Sequence, residues 1–249
     1  MKRAARLPAF SLCLVAAAGT TAWAQQNEPS RARIFVNGAF SAASPKFSEA
    51  RPYTLFVEDS TLNAAYEVKA GPGFEAGLQY RFLRHIGAAV SFAAASHDAT
   101  LSLDTGLPHP LYFNQKRQIS GSSDSLSHKE SAIHFDLVYT GRSGSLEFAV
   151  FAGGSKIKVE TDVVDHVEFS QAYPFDSATL TALPLKRLSD SPFGFNVGGS
   201  LDYVLGRNFG LGAQARFSRA TAKLSPTAGQ SIDLDAGGFE VAAGLRIYF

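Results

Sequence analysis

The residues best suited to chemistry are His134 and Asp136, which stand two apart and therefore share one face of an extended strand. A histidine oriented by a carboxylate can serve as a general base, but an enzyme built on it needs a nucleophile or a second acid at the same depth. The neighbouring positions on that face offer only Glu147 and Phe151. Catalysis therefore ranks last among the functions to weigh, and no catalytic residue is assigned. His97-Asp98 and His128-Lys129 fall near strand ends or in loops, where solvated side chains are expected. No histidine group has metal-ligand spacing, so neither a metal nor a cofactor is expected.

His134 and Asp136 belong to a wider set. Glu75, Arg81, Glu147, Asp202, Arg216, Glu240 and Arg246 also fall on the polar side of segments that alternate with a period of two. In Gly73 to Phe82, Phe74, Ala76, Leu78, Tyr80 and Phe82 oppose Glu75, Gly77, Gln79 and Arg81. A strand sends successive side chains to opposite faces, so each such segment has one apolar and one polar face. The period recurs from Ile133 to Tyr139, Phe193 to Leu205, Phe209 to Phe217 and Phe239 to Phe249, and more weakly in Arg33 to Ser41, Ile86 to Ser96 and Leu146 to Val159. That gives eight strands. The charges, of both signs, are expected to pair, with Arg216 and Glu240 one step diagonal across the last hairpin as the leading pair.

The links between strands alternate in length. Short ones sit at Leu83 to His85, Gly141 to Gly144 and Gly206 to Asn208, and long polar ones at roughly 43–72, 98–130, 160–191 and 219–237. Tight turns at one end and long loops at the other mark an outer-membrane barrel with periplasmic turns and extracellular loops. Bulky residues fill the apolar faces, while the polar faces mix small residues with a few charges, which suits lipid outside and a narrow lumen inside. The expected fold is an all-β, eight-stranded, antiparallel up-and-down transmembrane barrel; a ten-strand alternative places an extra hairpin in 160–191, around Val163, Val167 and Phe169. Eight strands leave room only for side chains, so the lumen is expected to be plugged.

Residues 1–24 read as a secretory signal: Lys2, Arg3 and Arg6, an apolar run from Leu7 to Ala18, then Ala22-Trp23-Ala24 before the cut. Residues 25–249 then form the barrel. Cys13, the only cysteine, leaves with the signal, so no disulfide is expected. Cleavage removes three of 23 basic and none of 22 acidic residues, leaving a formal charge of −2 and no field for nucleic acid.

From about Ala32 to Phe249 the pattern resembles small bacterial outer-membrane barrels of the opacity-protein and OmpA-like transmembrane type. The most specific element is the end, GFEVAAGLRIYF, an alternating strand that finishes in Tyr248 and Phe249. The resemblance implies that these two residues act as the signal read by the barrel-assembly machinery. It also implies a bacterial outer-membrane location after Sec-type export, with membrane lipid as a partner. Many OmpA-like proteins continue into a peptidoglycan-binding domain; this sequence stops at its last strand, so no periplasmic domain is expected. The aromatic loops, as in Pro52 to Phe56 and Tyr173 to Phe175, suggest an extracellular ligand or surface, although strands that merely extend past the membrane account for them equally. A structural or surface-interaction role ranks first. A narrow pore or small-ligand carrier follows, and a lipid-modifying or proteolytic enzyme, which has precedent among such barrels, comes last.

Overall fold

The computed structural model describes residues 30–42, 45–226 and 231–249. The signal expected over residues 1–24, and with it Cys13, lies outside the described residues. Eight strands form a closed antiparallel ring: β1 (Ala32–Ser41), β4 (Gly71–Arg81), β5 (Ile86–Pro108), β6 (Lys116–Ser143), β7 (Leu146–Val164), β11 (Phe193–Val204), β12 (Phe209–Leu224) and β13 (Ile232–Tyr248). The ring closes where β1 meets β13, with Ile34 opposite Ile247 and Phe40 opposite Val241. Closure is obligatory, because lipid offers no partner to an unpaired backbone N–H or C=O. The hairpin turns at 82–85, 144–145 and 205–208 gather at one end of the ring, the periplasmic end.

The four long connections are largely strand, so that of the two readings of their aromatic segments the extension of strands past the membrane is what the fold contains. β5, β6, β7, β12 and β13 run on well beyond the apolar belt, and β5 and β6 pair all the way from Ile86–Tyr139 to Pro108–Lys116. Three further elements continue the wall: the hairpin β2 (Lys46–Leu55) and β3 (Glu58–Val68), and β10 (Leu185–Asp190). β3 takes over the edge of β5 where β4 stops, and β10 takes over the edge of β7 where β11 stops. The remaining hairpin, β8 (Glu168–Gln171) with β9 (Ala178–Ala182), forms a separate two-stranded sheet. None of these adds a crossing strand, which excludes the ten-strand alternative; Val163 is instead buried inside the wall and Val167 packs against the same cluster.

The extent of these extensions is hard to read from sequence because the chemistry of the two faces inverts along each strand. In β5, odd-numbered residues face inward throughout. Low in the barrel they are small or polar, as in Ala89, Ser91 and Ala93, while Val90 and Phe92 are exposed to lipid. Higher up the inward residues become Ala99, Leu101 and Leu103, and the outward ones Thr100, Ser102 and Asp104. β12 and β13 change the same way: Gln214 and Arg216 give way to Ala220, Ala222 and Leu224, and Arg246 to Leu234 and Ile232. The reversal marks the membrane boundary. Below it the strands meet lipid; above it they meet water and need an apolar interior.

That interior is a single cluster drawn from the inner faces of β2, β3, β5, β6, β7, β10, β12 and β13. Within it Phe47 and Tyr66 stack with ring centroids 4.5 Å apart, and the Tyr66 hydroxyl accepts the Val164 N–H at 3.0 Å. Burial pushes the Tyr66 phenol up to about 12, so it stays protonated. Leu126 is fully buried here. Leu126→Ala should lower stability by ~2–5 kcal/mol through lost burial and a residual cavity. The outward Ser102→Ala should stay within ~0.5 kcal/mol. Urea unfolding of the detergent-refolded barrel measures both.

Candidate functional site

Below the apolar cluster the lumen holds four arginines, Arg33, Arg81, Arg216 and Arg246, and four carboxylates, Glu75, Asp136, Glu147 and Asp202, all buried. Alternation places them there, since each is on the inward face of a strand whose outward face is apolar. They form two linked layers and a mouth. Nearer the periplasm, Asp202 takes Arg246 Nε at 2.8 Å and also binds Arg33. Arg33 further reaches Glu147 at 3.4 Å and donates to the Gln79 side chain. Gly212, opposite Asp202 in the ladder, leaves the space that this pair fills; a Cβ there would collide with the Asp202 carboxylate and the Arg246 guanidinium.

The middle layer centres on Arg216. Its Nη2 meets Glu75 and its Nη1 meets Asp136, both at 2.9 Å, and Nη1 also donates to Asn196. The guanidinium lies 4.6 Å from the Phe151 ring centroid. Glu75 is held additionally by Gln214 and by Asn37 at 3.2 Å, and Asn37 in turn accepts from Arg246, which joins the two layers. Arg81 stands apart at the periplasmic mouth, where it donates to the Ser30 carbonyl and, at 3.5 Å, to the Thr140 hydroxyl.

Glu240 does not form the ion pair assigned to it. It stands directly opposite Arg216 in the ladder rather than one step diagonal, yet the guanidinium turns away to Glu75 and Asp136. A long side chain pointing into a narrow barrel crosses to strands on the far side more readily than it folds back to its neighbour. Glu240 is half-buried and faces a cavity of ≈ 40 Å³ between the charged layers and the apolar cluster, room for a few waters.

His134 and Asp136 are likewise not partners. Asp136 serves Arg216, while His134 Nδ1 lies 2.7 Å from the Ser155 hydroxyl directly opposite it. Ser155 is the hydroxyl missed in the sequence; it was hidden where the alternation of β7 drifts past Gly153-Gly154. It also accepts from Asn196 Nδ2 at 3.0 Å. His97 and His128 are not solvated either. They face each other across β5 and β6, both buried, with ring centroids 6.3 Å apart, and His128 Nε2 lies 3.0 Å from Glu130. Because β5 and β6 continue past them, positions that looked like strand ends are interior. Among the described residues no group of three or more histidines and carboxylates could hold a metal.

At the other end, Phe249 closes the ring against Ala32, donating its N–H to the Ala32 carbonyl at 2.9 Å. Its side chain is exposed while that of Tyr248 points inward and is buried.

A closed eight-stranded ring with a lipid-facing apolar exterior, charges paired inside and tight turns at one end defines a transmembrane outer-membrane barrel. The family model described as "Outer membrane protein beta-barrel domain" matches residues 10–246, and the chain belongs to that family, in the bacterial outer membrane. No curated protein sequence matches it significantly. Among solved structures it is similar to the outer membrane protein OprG of Pseudomonas aeruginosa, at 13% identity and a TM-score of 0.48, over 89% of this chain and 97% of that one. It is also similar to Neisserial surface protein A, at 13% identity and 0.44, over 88% and 97%. A third is outer membrane protein W of E. coli, at 13% and 0.41, over 90% and 100%.

Removing Arg216 leaves the buried Glu75 and Asp136 carboxylates without their shared counter-charge, whereas removing Glu75 leaves the Arg216–Asp136 pair intact. Arg216→Met should therefore destabilise the barrel by ~3–5 kcal/mol and Glu75→Met by less, and the two together by less than the sum of the single changes. A double-mutant cycle in detergent should show strong coupling of Arg216 to Glu75 and weaker coupling to Glu240.

Proposed function

We propose that this chain is a surface-interaction barrel whose lumen is closed and whose working face is its extracellular apex. The observation that carries this reading is the turn between β2 and β3. Phe56 and Val57 both sit in the left-handed region, at φ 51° and 68°. Two-residue hairpin turns of this kind favour Asn-Gly, because a Cβ, above all a branched one, is strained there. Val57 is nevertheless 87% exposed. A strained backbone that presents an apolar side chain to water lowers stability twice over, which points to a use for the side chain.

Two neighbouring tips support the same reading. Leu111, Tyr112 and Phe113 crown the β5–β6 loop and Tyr173 the β8–β9 turn, all more than half exposed. Buried polar contacts brace the three tips. Glu58 accepts the Asn114 N–H at 3.1 Å, and Arg117 donates to the Phe175 carbonyl at 3.0 Å and the Pro108 carbonyl at 2.8 Å. Aromatic anchors on a rigid scaffold are the usual carriers of protein-binding energy.

A narrow pore or small-ligand carrier is the second reading, and the cavity beside Glu240 is what favours it. The apolar cluster above and the ion-paired layers below argue for a closed path. The Ser155–His134 contact, the nearest approach to a catalytic pair, opens only onto that small cavity. We also propose that Phe249, exposed at the closing strand, is read with Tyr248 by the assembly machinery. Deletion of Phe249 should lower the amount of heat-modifiable barrel in the outer membrane several-fold while the secreted precursor level stays unchanged.

The apex reading is tested with Phe56→Asn/Val57→Gly, which installs turn-favoured residues. Cells displaying this variant should attach to epithelial or matrix-coated surfaces at least ~10-fold less than wild type, with equal surface display and an equal or higher melting temperature. Unchanged attachment would sink the reading. Steady single-channel currents from the wild type in planar bilayers would install the pore in its place.

A further inference from the structure

The outward side chains at the membrane boundary are not alike around the barrel. On most of the circumference they are neutral or locally balanced: Arg219 pairs with Asp235 at 2.6 Å, Lys46 with Glu67 at 3.0 Å, and Phe40 and Phe74 carry the β1–β4 face. On β6 and β7 three lysines meet. Lys156 and Lys158 are two apart on the outer face of β7, and Lys129 projects from β6 opposite Glu160. In this register Lys156 and Lys158 stand ~7 Å apart along β7, and Lys129 on β6 stands ~8 Å from Lys158 and ~14 Å from Lys156, a spread that long lysine side chains can close around one phosphorylated headgroup. Glu160 is engaged by Lys158, whose hydrogen bond holds its carboxyl below the usual carboxylate range, and the next row up is closed by the Arg187–Asp162 pair at 2.9 Å. Lys129 and Lys156 form no ion pair among the described residues, and the cluster keeps a net positive charge.

The position of the cluster identifies its occupant. Lys156 stands in register with Ile133 on one side and Phe193 on the other, the last apolar residues of the lipid-facing belt, with Phe135 and Phe195 directly below. The Lys156 ammonium lies 5.4 Å from the Phe193 ring centroid. The lysines are therefore continuous with the lipid interface and begin where it ends, at the height of the outer-leaflet headgroups. A soluble anion would have no use for the apolar half of this surface; a lipid uses both halves. We propose that the β6–β7 face binds an outer-leaflet lipid with a phosphorylated headgroup, its phosphate among Lys129, Lys156 and Lys158 and its acyl chains along Ile133, Phe135, Phe193 and Phe195.

The test uses the mature barrel reconstituted in phosphatidylcholine nanodiscs doped with diphosphoryl lipid A, with bound lipid counted by native mass spectrometry and the melting temperature followed in parallel. Lys129→Gln/Lys156→Gln/Lys158→Gln should weaken lipid retention ~10–100-fold, since each lysine near an anionic surface contributes a severalfold effect. Lys129→Arg/Lys156→Arg/Lys158→Arg should retain it, and Lys46→Gln/Lys223→Gln, whose lysines lie elsewhere, should match wild type. Dephosphorylated lipid A should bind like the glutamine variant. The proposal is overturned if the glutamine variant retains lipid A as well as wild type, if removing the phosphates changes nothing, or if millimolar inorganic phosphate alone reproduces the thermal shift.

Discussion

Everything in this molecule follows from the need to satisfy backbone hydrogen bonds where no water can reach. Lipid forces the sheet to close on itself, and closure by the pairing of β1 with β13 at eight strands makes the ring narrow. In a narrow ring every inward side chain ends near others from across the lumen. Charges placed there cannot be left alone, so Arg216 joins Glu75 and Asp136, and Asp202 joins Arg33 and Arg246. Their packing in turn dictates glycine at 212, where any side chain would displace the Asp202 carboxylate.

The same strands then leave the membrane without changing which residues point inward. Only the solvent outside changes, and the side chains answer it: an apolar exterior around ion pairs becomes a polar exterior around leucine, valine and alanine. Once the wall is above lipid, closure is no longer compulsory. β4 and β11 end, β3 and β10 replace them, and β2 stands as an edge strand with Lys46, Arg51 and Pro52 along it, residues that discourage pairing with another chain. The extracellular half is thus a small water-soluble core carried on a membrane barrel. That core is what holds the exposed tips at Val57, Phe113 and Tyr173 in place.

The sequence by itself determined the class of fold, because alternation and turn length are local. Phe74 to Phe82 or Phe239 to Phe249 declare a lipid face without reference to any other segment, and three tight turns set the orientation and favour eight strands while leaving ten open. The inward charges could be named from the same alternation. Arg33 in the lumen layers and Glu49, Glu58 and Arg117 in the extracellular half escape that naming; Arg33 lies in the alanine- and glycine-rich β1, whose period is weak.

The tertiary structure alone decided who partners whom and where the strands end. Register alone pairs Arg216 with Glu240 on the adjacent strand, whereas curvature brings β4 and β6 within reach of β12 across the lumen. Asp136 and His134 share a face yet serve different partners, Asp136 reaching Arg216 across the lumen and His134 meeting Ser155 on the adjacent strand. That strands extend past the membrane was legible as one of two readings, but their course was not, because their sequence, polar outside and apolar inside, is that of an ordinary soluble strand, and only the stacking of eight such segments around one axis makes a core of them. His97 and His128 became interior residues through that stacking, since burial is a property of the closed wall and not of either strand.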